Sequence, residues 1–133
     1  MADKFSNADT GQCVSVFEET INCVVAAGQS VTKGQVVEAV AETVNGLPTV
    51  QPAVSGSLVV IGVAMKSGSA GTVISILVRG IVKATAGATG CTAGKLVMVG
   101  DTAGTVVDAD AYGKAFARAL HTLASTDTGL ILL

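Results

Sequence analysis

Glycine interrupts this chain too often for long helices to form. Gly28, Gly34, Gly46, Gly56, Gly68, Gly71, Gly80, Gly87, Gly90, Gly94, Gly100, Gly104 and Gly113 break it into short segments. Each interior glycine would cost a helix about 1 kcal/mol relative to alanine. Between the glycines lie bursts of β-branched residues, such as Val14-Ser15-Val16-Phe17 and Thr72-Val73-Ile74-Ser75-Ile76-Leu77-Val78. Alternation bounded by turn formers is a strand signal. Two stretches have some helical propensity, Glu38-Ala39-Val40-Ala41-Glu42 and residues 111–124. In the second, Ala115, Ala117 and Ala119 alternate with Lys114, Phe116, Arg118 and Leu120, and a period of two argues for strand. The expected fold is all-β.

An internal repeat organises the strands. Val25-Ala26-Ala27-Gly28 and then Thr32-Lys33-Gly34-Gln35 resemble Ala84-Thr85-Ala86-Gly87 and then Thr92-Ala93-Gly94-Lys95. Thr43-Val44 matches Thr105-Val106, and Gly62-Val63-Ala64 matches Gly113-Lys114-Ala115. Ser69-x-x-Thr72-x-Ile74-x-Ile76-Leu77 matches Ser125-x-x-Thr128-x-Leu130-x-Leu132-Leu133, and the first copy carries a longer middle loop around Asn45 to Gly56. Neither half can bury its apolar face alone, so the two are expected to pair into a small barrel or sandwich. The organisation read from the sequence is a polar, extended N-terminal arm over residues 1–12 and one β-barrel-like domain over 13–133, with pseudo-repeats at about 14–77 and 78–133.

Composition limits the partners. Half of the 133 residues are apolar, but with three Phe, one Tyr and no Trp the core must be thin and aliphatic. Only 14% are charged, and the net charge is −2. A sparsely charged surface suits a protein that packs against neighbours. Eight basic residues scattered among ten acidic ones form no stripe for nucleic acid. The apolar run Leu58 to Met65 is far short of the roughly 20 residues a membrane helix needs. The polar start has no secretory h-region, so synthesis and residence in the cytosol are expected. Cys13, Cys23 and Cys91 lack metal or redox spacing and read as reduced, buried small hydrophobes.

No residue set reads as catalytic. His121 stands beside Leu120 and Leu123 with no titrating partner near it in sequence. Glu18-Glu19 on a strand would point to opposite faces. Asp108-Ala109-Asp110 fits turn chemistry better than a weak calcium contact. Gly90-Cys-Thr-Ala-Gly94-Lys95 has three residues between its glycines where a phosphate loop has four, and Leu96 replaces the magnesium-binding hydroxyl. Accordingly no catalytic, cofactor or metal residue is expected, and the chain reads as a binding module.

Two family resemblances bear on partners. Ala64-Met65-Lys66 and Lys33-Gly34-Gln35-Val36-Val37 are similar to biotin carrier domains, which would imply modification at Lys66. Ser67-Gly68 follows the lysine where those domains usually place another Met, and the second repeat puts Ala117 or Arg118 near that place. A ligand-binding β-module is a further alternative, although Tyr112 and three Phe offer little for sugar stacking. The polar arm, the Gly-Lys/Gln-Val/Leu-Val turns, the Gly-x-Ala strand and the ending Asp127-Thr128-Gly129-x-x-x-Leu133 together resemble the head decoration, or capsid cement, proteins of tailed bacteriophages, over about residues 24–133. That resemblance implies a β-rich virion protein on the capsid exterior, commonly a homotrimer, clamping major capsid protein subunits. On that reading capsid contact is expected on the arm, at Lys4 and Phe5, since Phe5 is its one large apolar anchor.

Overall fold

The computed structural model describes residues 18–133; Lys4, Phe5, Cys13 and the arm lie outside the described residues. The first half comprises β1 (Glu19–Val25), β2 (Ser30–Val31), β3 (Val36–Val44), β4 (Leu47–Pro52), β5 (Val60–Ala64), β6 (Gly68–Ser69) and β7 (Val73–Arg79). The second comprises β8 (Ile81–Thr85), β9 (Leu96–Val99), β10 (Val106–Asp108), a 3₁₀ turn (Tyr112–Lys114), β11 (Ala117–Ala119) and β12 (Thr128–Leu132). All-β architecture from two repeated halves is what the structure shows, and each half carries its own sheet.

The first sheet runs β1-β4-β3-β5-β7 and closes into a barrel where β7 returns to β1, with a β2-β6 ribbon beside it. The second runs β10-β9-β11-β12-β8. Its ends meet at a parallel bridge, Ala86 to Val106, matching the parallel pairing of Val25 with Val50 in the first half. Cys91 bridges Leu123 where Val31 pairs with Gly68. Strand for strand, β1, β3, β4, β5 and β7 therefore correspond to β8, β9, β10, β11 and β12.

Two aliphatic cores result. Val25, Val37, Val50, Ile74 and Ile76 fill the first barrel. Val97, Val99, Val106, Ala119 and Ile131 fill the second, and Val36, Ala53 and Val63 from the first half join that cluster. The seam between halves is thus apolar and continuous with the second core. One glycine carries a steric requirement here: a Cβ at Gly62 would land on the Leu77 carbonyl, so β5 can lie this close to β7 only without a side chain.

The observed pairing corrects several repeat matches. Val63-Ala64 pairs with Leu77-Ile76 as Arg118-Ala119 pairs with Leu132-Ile131. The partner of Gly62-Val63-Ala64 is therefore Ala117-Arg118-Ala119, and Gly113-Lys114 falls in the 3₁₀ turn. Thr105-Val106 answers Thr49-Val50 rather than Thr43-Val44, since Val50 and Val106 take the same parallel partners. The expected middle loop is two features: a tight hairpin at Asn45-Gly46, both with φ positive (52° and 77°) as a type I′ turn requires, and a separate loop over residues 53–59 after β4.

Candidate functional site

The motif-like segments are architecture. In the turn before β9, Thr92 donates from N and Oγ1 to the Asp108 carboxylate at 2.8 and 2.7 Å. Ala93 N donates to Thr122 Oγ1 (3.1 Å), Gly94 N to Ala119 O (2.8 Å) and Lys95 N to Thr92 O (3.1 Å). A phosphate cradle needs such amides free to point at the ligand, and here they are spent within the fold. The turn at 32–35 repeats the scheme, with Lys33 N donating to Ser67 Oγ (2.9 Å) and Gly34 N to Ala64 O (2.8 Å).

The other candidates are likewise dispersed. Asp108 is committed to Thr92, while Asp110 pairs with Lys114 at 3.4 Å. Glu19 meets Arg79 at 3.7 Å on the open surface. His121 is exposed just beyond β11, and among the described residues no three metal-capable side chains converge. Cys23 and Cys91 are free and buried; burial raises both thiols, Cys91 to about 11 with the Asp108 charge adding to the effect. Lys66 is exposed in the bend where the chain leaves the barrel at β5 and joins the β2-β6 ribbon. Met65 N is tied to Ser75 O (2.9 Å) on one side of it, and Ser67 takes the Lys33 amide on the other. By the strand correspondence the place of Lys66 in the second half belongs to His121, not to Ala117 or Arg118.

Sequence reasoning missed Glu38, a buried carboxylate in β3. Burial alone would raise its pKa, but the Val54 N–H and the Gln51 and Ser57 side chains together hold it below the usual value. Gln51 Nε2 and Val54 N both donate at 2.9 Å. Glu38 thereby pins the 53–57 loop against the barrel, and in the second half Met98 takes its place.

That loop meets the second half at the seam. Val36 N donates to Gly104 O and Gly104 N donates to Ala53 O, both at 2.9 Å. Gly104 thus plugs the end of the β3–β4 ladder, seated against the Gln35 side chain. Ser55 Oγ donates to Asp101 (3.2 Å) and Gly56 N to Val99 O (3.2 Å) in the same contact. The equivalent place in the second half is the end of the β9–β10 ladder. Ala109 N donates to Leu96 O at 2.8 Å just as Ala53 N donates to Val36 O at 2.9 Å. Among the described residues no turn or loop carbonyl accepts from Leu96 N–H as Gly104 O accepts from Val36 N–H.

The surface around that open ladder is the candidate binding face. Cross-strand pairing aligns Leu96, Arg118, Leu132 and Ile81 in one row. In the corresponding row of the first half Val36, Val63 and Leu77 are fully buried and only Thr20, at the place of Ile81, is exposed, whereas Leu132 is 43% exposed and Tyr112 nearby is 88% exposed. A groove of about 480 Å³ lies between Lys95, Leu96, Ala109, Tyr112 and Arg118. Tyr112, Arg118 and Leu132 carried no distinct signal in the sequence; only the strand correspondence sets them apart.

No protein-family model and no curated protein matches the chain. Among solved structures, the fold is similar to the head fiber gp8.5 N base in bacteriophage phi29, with a TM-score of 0.68 covering 88% of this chain and 94% of that one. Identity over the match is 12%, so the likeness is one of fold.

Proposed function

We propose that this chain is a structural protein of a phage virion, decorating and stabilising the outside of the head as a homotrimer bound to the major capsid protein, and catalysing no reaction. The observation that carries this reading is the near full-length match of fold, 88% of one chain and 94% of the other, to the base of a phage head fiber. The chemistry is compatible: the turns spend their amides internally, Asp108 and Asp110 are committed to separate partners, and apolar surface remains open on the second half. Modest contacts repeated around an oligomer add through effective concentration.

Electron microscopy of particles purified from the source tests the proposal. Stoichiometric density for this chain on the shell is expected, and its absence from purified particles overturns the reading. Within the same proposal, Lys4 and Phe5 of the arm supply the capsid contact. Deleting residues 1–12 should leave the oligomer folded and weaken capture by capsids. Capture that is undiminished assigns the contact elsewhere.

A further inference from the structure

We propose that the groove at the open end of the β9–β10 ladder receives the β3–β4 hairpin tip of a second copy of this chain, in a head-to-tail contact that repeats between chains the contact made between the two halves within one. The proposal deepens the self-association part of the reading above and rests on it.

The internal contact supplies the template. Gly104 lies in the turn joining β9 to β10, and its backbone takes the Val36 N–H and gives to the Ala53 carbonyl. The segment joining β3 to β4 is the counterpart of that turn, and Leu96 with Ala109 is the counterpart of Val36 with Ala53. The first half therefore has its slot filled and its hairpin free, while the second half has its hairpin inserted and its slot open.

The free hairpin is built to reach. β3 has nine residues where β9 has four, and five more residues at roughly 3.3 Å each extend the ladder by about 16 Å. Residues 41–46 are all exposed, and Val44 is 41% exposed. The hairpin tip brings one charge, Glu42, and the groove offers Lys95 and Arg118, both exposed, while the Asp110 carboxylate at its rim is already turned to Lys114. Charge therefore favours this occupant. A second copy seated this way makes a heterologous contact, which forms a ring when the rotation between copies closes.

Sedimentation of the full chain over a concentration series tests the proposal. One variant removes residues 41–44 and 47–48, so that Asn45-Gly46 joins Val40 to Thr49, which already face each other across β3 and β4. It should keep its thermal unfolding transition and sediment as a monomer. Glu42→Lys and Lys95→Glu should each weaken association by about fivefold, and the double variant should restore it. Association unchanged in the shortened hairpin, a wild-type chain that stays monomeric, or charge reversals that fail to compensate each overturn the inference. Whether the protein sits on the capsid is read separately from particles, so oligomers assembled through other residues would overturn this contact and leave the virion role standing.

Discussion

The two halves share a strand order and differ in how they fill it. In the first barrel Gly68 leaves room for Ile74; in the second, Leu123 fills that room and Gly129 makes way. The large and small partners have exchanged strands while the sum is kept, as close packing demands. Gly62 is likewise answered by Ala117, and Glu38 by Met98. A barrel of this kind constrains pairs of positions rather than single ones. Copies of it can thus diverge until little of the repeat shows at any one site.

Substitutions that force one half to imitate the other measure how far the equivalence goes. The largest effect is expected from Gly62→Ala, which places a methyl on the Leu77 carbonyl and should cost about 3 kcal/mol in denaturant unfolding. Near-wild-type stability would mean that β5 and β7 can part far enough to admit a methyl. Gly129→Ile alone should cost nearly as much, because a side chain there runs into Leu123. Combining it with Leu123→Gly should recover about 2 kcal/mol, the coupling of residues in direct contact. Additive losses in that double variant would break the exchange argument. Glu38→Met, copying Met98, leaves the Val54 N–H without its acceptor and should cost about 2 kcal/mol.

The Glu38 effect carries a pH signature. Its folded pKa is depressed, so as pH falls the unfolded chain takes up the proton first. The stabilisation is present above the ordinary carboxylate value and is lost as pH drops through the folded one, and acid titrations of wild type and Glu38→Met should converge there. A smaller loss, about 1 kcal/mol, is expected for Ala117→Gly, which gives the second half the first half's residue and removes one buried methyl. A separate effect lies in the alkaline range. With the Cys91 thiol raised from 9.0 to about 11, the unfolded chain ionises first, so stability should fall across that interval and Cys91→Ala should flatten the slope.

Much of the fold was legible because its signals are local. Glycine spacing and β-branched alternation identify strands without tertiary information, and the turns at 32–35 and 92–95 align because Gly34 and Gly94 hold φ values of 92° and 82° that other residues rarely adopt. Register was not legible. Matching Ile74 and Ile76 to Leu130 and Leu132 slips β12 by one residue, and such a slip turns a strand over; the buried positions are Gly129 and Ile131. The exchange of Leu123 and Gly129 for Gly68 and Ile74 erases the identity that would have set the alignment. Glu38 escaped notice because its partners lie 13 and 16 residues ahead, across a turn and a strand. The open ladder at Leu96 escaped because backbone groups look alike in any sequence.

Tyr112 has a practical consequence. It is the one tyrosine of a chain without tryptophan, and it borders the groove beside Leu96 and Arg118. Tyrosine emission from the native protein therefore originates at the groove proposed to bind. Its intensity, polarisation and quenching by small solutes report directly on whether that face is wet or covered. The molecule carries its own optical gauge of assembly, and no label need be attached to read it.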